Sequence, residues 1–184
     1  MSAESAACGR ANRALPRLTL VLGGARSGKS RYAERLIEAA APRGTYCATA
    51  EPGDDEMRRR IAAHRAGRGP FWQTIEAPFD LAGAIGEAAP ERPLVIDCLT
   101  LWLSNLLLAR RPLDAEVATL RAALRDAAGP VVLVANEVGL GLVPETPLGR
   151  EFRDEAGRLN QDIAAIADRV VFVAAGLPLV LKGD

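Results

Sequence analysis

Histidine occurs once in the chain, at His64, and cysteine three times, at Cys8, Cys47 and Cys98. Three widely spaced thiols with no C-x-x-C pair exclude a disulfide framework and a cysteine zinc site, and they suit a reducing cytoplasm. Excess charge of either sign is missing: 23 Lys and Arg balance 23 Asp and Glu. No overall basic field draws the protein onto nucleic acid, which is not an expected partner. No apolar run approaches the roughly 18 residues of a membrane span, so a soluble protein without one is expected. Internal repeats and low-complexity linkers are also absent. The opening stretch 1–17 is small and polar, and the apolar run after it is too short for a signal segment, so it reads as a disordered tail. The remainder, 18–184, has room for one sizeable core and reads as a single domain.

Short apolar runs stand at 18–22, 45–50, 93–99, 131–135 and 170–174, with a further apparent strand at Phe71–Ile75. Between them, helical spacing covers Ser30–Ala40, Asp54–Ala66, Asp80–Ala88, Asp114–Ala127 and Arg150–Ala167. Near-continuous apolar strands alternating with helices predict an α/β fold with a mostly parallel sheet covered on both faces. The closing sequence VVFVAAGLPLVLKGD holds two apolar runs joined at Gly-Leu-Pro, which predicts an antiparallel hairpin at the sheet edge.

Gly23, Gly24, Ala25, Arg26, Ser27, Gly28, Lys29 and Ser30 match G-x-x-x-x-G-K-[ST] between a predicted strand and a predicted helix. Glycines let the backbone curl so that its N–H groups face phosphate oxygens, and the helix N-terminus adds partial positive charge. Lys29 would reach the β- and γ-phosphates, and the Ser30 hydroxyl would ligate Mg²⁺. Two readings fit Asp97, at the end of the strand Leu94-Val95-Ile96: it holds the water shell of the Mg²⁺ beside Ser30, or it caps the helix that follows.

The segment around His64 has acidic residues in its first turn, basic ones later and Gly67 at its end, the signals of a helix. Four-residue spacing puts Arg60, His64 and Arg68 on one face. An imidazole flanked by guanidiniums is held neutral and nucleophilic near pH 7, able to attack an α-phosphorus and form a nucleotidyl-enzyme. The other reading is a solvated helix on which a lone histidine sits among arginines. Glu76 suits either a hydrogen-bond acceptor for ribose or guanine or a plain surface carboxylate. Asn136 and Glu137 follow a strand at the edge where open α/β sheets bind ligands. Arg150, Arg153, Arg158 and Asn160 suit either contacts to a subunit partner or substrate or, as the default, solvated positions, and Trp102 is expected in the core or an interface. A guanine-nucleotide switch is disfavoured, because the strand-end sequence Asn136-Glu137-Val138-Gly139 is not N-K-x-D.

Taken in order, GGARSGKSRYAE, ATAEPGDDEMRRRIAAHRAGRGPFWQTIEAP, LVIDCLTLWLSNLL and VLVANEVGLGLVPETPLGREFRDEAGRLNQDIAAIADRVVFVAAGLPLVLK resemble one family across residues 18–182. That family is the bifunctional adenosylcobinamide kinase / adenosylcobinamide-phosphate guanylyltransferase of cobalamin biosynthesis. The resemblance implies a RecA-like P-loop fold and a homotrimer. It also implies phosphorylation of adenosylcobinamide by ATP or GTP. GMP then passes from GTP, through a guanylylated histidine at His64, onto adenosylcobinamide phosphate. Nucleotide contacts are implied at Gly23–Ser30, at Ala48, Thr49 and Ala50, at Arg65, Ala66, Gly67 and Arg68, and at Glu76 and Asp97. The substrate that Arg150, Arg153, Arg158 and Asn160 would contact is then the corrinoid. Some members carry a second histidine where this chain has Ala63, which leaves His64 as the single candidate.

Overall fold

The computed structural model describes residues 14–51 and 69–183. The expected helix Asp54–Ala66, with His64, and the contacts Arg65, Ala66, Gly67 and Arg68 lie outside the described residues. The elements run β1 (Leu18–Gly23), α1 (Lys29–Ala40), β2 (Gly44–Ala48), β3 (Trp72–Glu76), α2 (Leu81–Glu87), β4 (Leu94–Asp97), α3 (Leu99–Leu108), α4 (Leu113–Asp126), β5 (Val131–Asn136), α5 (Pro147–Ile166), β6 (Arg169–Ala174) and β7 (Leu177–Lys182).

The seven strands form one sheet in the order β3-β2-β4-β5-β1-β6-β7. Every pairing is parallel except β6 with β7, the expected antiparallel edge hairpin. Alternate residues of the central strands enter two separate cores, as the period-2 geometry of a strand requires. Leu18, Leu20, Leu94, Ile96, Val131 and Leu133 pack against Leu81, Leu103, Leu106, Leu124 and Ile163 of α2 to α5. Val21, Val95, Val132, Val134 and Val171 face the other way, toward Ala33 and Ile37 of α1 and the ring of Tyr46. These strands are mostly apolar because both of their faces are buried.

Packing begins a few residues before β1. Leu15 lies against the α1-side core, and the Arg17 guanidinium donates to the Leu124 carbonyl at 3.2 Å. Trp102 is fully buried, with its indole N–H donating to the Phe79 carbonyl at 2.8 Å, which settles it as a core residue. Asn160 corrects the expectation of a solvated position. It is buried under the sheet edge, and its amide donates to the Asn136 carbonyl at 3.3 Å. The helix that carries it also starts earlier than expected, because Thr146 caps it through a hydrogen bond from the Gly149 N–H and a proline occupies its first turn.

Candidate functional site

Sheet order and register put the chemistry at the carboxyl ends of the central strands. Across β3, β2 and β4, Glu76, Ala48 and Asp97 stand side by side. Across β5, β1 and β6, Asn136, Gly23 and Val173 do the same. The loop Gly23–Ser30 leaves β1 in the middle of this edge.

Close packing shapes the loop. A Cβ on Gly23 would lie 2.5 Å from the Val173 carbonyl oxygen and 2.6 Å from Ser27 Oγ, so only glycine lets β1 turn there. Gly28 has φ 95, in the left-handed region that glycine enters freely, and the Gly176 Cα would be 3.3 Å from its Cβ. The Gly176 N–H also donates to the Ser27 carbonyl at 2.8 Å, tying the loop to the β6–β7 turn. Gly28 precedes α1 without a capping side chain, so the first N–H groups of that helix are not taken by a cap. Lys29 is buried and donates from Nζ to the Gly24 carbonyl at 3.1 Å, which holds its ammonium within the loop. Ser27 Oγ is buried and has no hydrogen-bond partner among the described residues. Curled backbone, an open helix N-terminus, an ammonium and an unpartnered hydroxyl together make an anion cradle.

Ser30 Oγ donates to Asp97 Oδ1 at 3.1 Å, and the Tyr46 hydroxyl donates to Asp97 Oδ2. Asp97 is therefore not the helix cap. Cys98 occupies the position before α3 and makes no side-chain cap bond there. The Asp97 carboxylate instead reaches across the top of β5 toward the phosphate loop. Two hard oxygen donors side by side at an anion cradle are the donor set that suits Mg²⁺. Among the described residues no group of three His, Cys, Asp or Glu side chains could hold a metal by itself, so a cation here needs oxygens from a ligand and water.

Thr49 turns inward. Its hydroxyl accepts from the Cys98 N–H at 2.8 Å and donates to the Cys98 carbonyl at 2.9 Å, its N–H donates to the Asp97 carbonyl at 3.3 Å, and its carbonyl accepts from the Asn105 amide at 2.8 Å. Of the three residues Ala48, Thr49 and Ala50, this one holds the protein's own backbone just beyond Asp97. Asn136 is likewise engaged, donating its N–H to Thr100 Oγ1 at 2.6 Å. Glu137 donates its N–H to the Gly23 carbonyl at 3.0 Å, and its carboxylate accepts from the Gly139 N–H. Glu76 is exposed and opens onto a cavity of about 320 Å³ lined also by Ile75, Pro78, Phe79 and Asp80. Burial pushes the Cys47 thiol up to about 12, and burial followed by the charge of Asp97 pushes the Cys98 thiol up as well, so both remain protonated and unreactive at neutral pH.

Residues 19–181 match the family described as cobinamide kinase / cobinamide phosphate guanyltransferase. The chain belongs to this family. It is therefore a transferase of the group that serves cobalamin biosynthesis. Among its relatives, the bifunctional adenosylcobalamin biosynthesis protein CobP of Pseudomonas aeruginosa is 52% identical over 90% of this chain and 97% of its own length. The bifunctional adenosylcobalamin biosynthesis protein CobU of Salmonella typhimurium is 43% identical over 90% of this chain and 99% of its own. Solved structures are similar in fold alone. The flagellar accessory protein FlaH of Methanocaldococcus jannaschii has a TM-score of 0.52 at 14% identity, covering 92% of this chain and 80% of that one. An ATPase of a bacterial type III secretion system has a TM-score of 0.54 at 12% identity, covering 90% and 57%. The fold is that of RecA-like P-loop ATPases, as expected from the loop and the strand pattern.

Tyr46, Asn105, Thr100 and Gly176 support the site without having been singled out in the sequence. The available signal was slight: a tyrosine, a threonine and a cysteine in a strand otherwise built of small apolar residues.

Proposed function

We propose that this protein phosphorylates adenosylcobinamide with ATP or GTP and then transfers GMP from GTP, through a guanylylated His64, to give adenosylcobinamide-GDP. The observation that carries this reading is the meeting of Ser30 and Asp97, 3.1 Å apart at the mouth of the phosphate loop. It occurs in a chain matched over residues 19–181 by a family named for both transfers.

In the first reaction the acceptor hydroxyl oxygen bonds to the γ-phosphorus and gives up its proton to solvent as the bond from that phosphorus to the β,γ-bridging oxygen breaks, and the nucleoside diphosphate leaves. Lys29 and the loop N–H groups take up the charge that develops on the phosphates. Ser30 and Asp97 would hold Mg²⁺, which would supply neutralisation of the phosphate charge. In the second reaction an imidazole nitrogen of His64 bonds to the α-phosphorus of GTP and pyrophosphate departs into the same cradle. The phosphate of adenosylcobinamide phosphate then attacks that phosphorus, the P–N bond breaks and His64 is restored. One anion site serves both steps because the oxygen released in each belongs to the β-phosphate. Ala48, the last residue of β2, stands beside Asp97. Glu76 is suited to accept N–H groups of the guanine or hydroxyls of the ribose.

The protein is proposed to work in the cytoplasm as a homotrimer. Unpaired apolar surface on β7 and on the loop after β5, including Leu142 at 96% exposure, supports association between copies.

The test uses GTP labelled at the α-phosphate. Wild type with Mg²⁺ is expected to acquire an acid-labile, alkali-stable label, and His64→Ala is expected to lose it while still phosphorylating adenosylcobinamide. A variant that keeps the label removes His64 from the reaction.

A further inference from the structure

Asp97 lies at the end of β4, and rotation about its terminal carboxylate bond is intrinsically broad. An Asp in this place can present either oxygen, or a plane between them, to Ser30 and to a cation. Two hydroxyls restrict that choice, because Ser30 Oγ holds Oδ1 and the Tyr46 hydroxyl holds Oδ2. The tyrosine is well suited to be the fixed member of the pair. It is 2% exposed, and its ring meets Trp72 edge to face with centroids 5.9 Å apart. Its strand is locked beside β4 by the register Tyr46↔Val95 and Ala48↔Asp97. Ser30, in contrast, stands at the loop, where its hydroxyl is the group that would turn toward a cation.

We infer that Tyr46 is a positioning residue: its hydroxyl holds the Asp97 carboxylate in the orientation that presents Oδ1 to Ser30 and to the cation accompanying the nucleotide. This rests on the nucleotide site of the preceding section and adds the group that orients its acidic member. The tyrosine is buried with its hydroxyl on Asp97, so its action passes through that carboxylate. Thr49 completes the support from below by fixing both main-chain polar groups of Cys98, so that backbone and carboxylate are held by two residues of the β2 segment.

Tyr46→Phe keeps the ring and its packing and removes only the oxygen. Affinity for a GTP analogue with an imido β,γ-bridge is measured by calorimetry in Mg²⁺ and in EDTA, for wild type, Tyr46→Phe, Asp97→Asn and the double variant. In EDTA all four are expected to bind within about twofold of one another. Mg²⁺ should strengthen wild-type binding, and Tyr46→Phe should forfeit about tenfold of that gain, the order carried by one hydrogen bond to a charged group. The double variant should be no weaker than Asp97→Asn alone, because the tyrosine acts only through that carboxylate. Three outcomes overturn the inference: an unchanged Mg²⁺ gain in Tyr46→Phe, equal losses with and without Mg²⁺, or additive losses in the double variant. A wild type that binds no nucleotide overturns the function proposed above together with this role, and so is told apart from failure of the role alone.

Discussion

The Thr49 hydroxyl closes a ring of two hydrogen bonds on Cys98 in a fully buried position. Thr49→Val keeps the shape and leaves the Cys98 N–H and carbonyl without that partner, at a cost of about 1–3 kcal/mol. For a domain of this size about 1 kcal/mol moves Tm by roughly 2–4 °C, so a fall of roughly 2–12 °C is expected by calorimetry. Thr49→Ser, which retains the oxygen, should lose only the burial of one methyl, about 1 kcal/mol. Residues of this kind were the least legible in the sequence. Lys29, Ser30 and Gly23–Gly28 declare themselves because their spacing along the chain is itself the chemistry. Tyr46, Thr49 and Asn160 act on partners 24 to 56 residues away. Their roles exist only once β2 has been placed beside β4, and α5 beneath the end of β5, which no local pattern specifies. Asp97 lies between these cases. A strand-end acid next to a helix reads equally as a metal-side carboxylate or as a cap, and only the side chain's reach to Ser30 separates the two.

At the scale of elements, the turn from β1 into the phosphate loop depends on backbone contact with β6. Gly23→Ala would drive a methyl to 2.5 Å from the Val173 carbonyl oxygen, whereas a Cβ on Gly24 meets nothing within 4 Å. Gly23→Ala is therefore expected to weaken GTP binding at least tenfold and to lower the unfolding midpoint, while Gly24→Ala should keep the unfolding midpoint of the wild type. Equilibrium dialysis with labelled GTP and urea unfolding check both. The strands were readable because burial on two faces leaves few choices but Val, Leu, Ile and Ala, and the edge hairpin because its two runs flank a Gly-Leu-Pro turn. Helix starts were less so: α5 begins at Pro147 under a Thr146 cap, three residues before the expected Arg150, since the cap signal precedes the amphipathic stripe.

For the whole molecule, Leu177, Leu179 and Leu181 are exposed along β7, a strand that among the described residues pairs only with β6 and so ends the sheet. Such an edge invites pairing with another chain unless it is covered or charged. Light scattering of the wild type is expected to give three chain masses, and Leu179→Lys to shift the population toward single chains; a variant that stays trimeric would place the interface elsewhere. The sheet order has a second consequence, one of timing. β1 is flanked by β5 and β6, with Leu18 opposite Val131 and Thr19 opposite Arg169, and the loop after β1 is latched by Gly176. A growing polypeptide on the ribosome thus displays the glycine-rich sequence early but has no walls to shape it until β5 and β6 have emerged. Chains that stop short of the β6–β7 turn have the loop without its frame, so the proposed capture of nucleotide waits until Gly176 has been made.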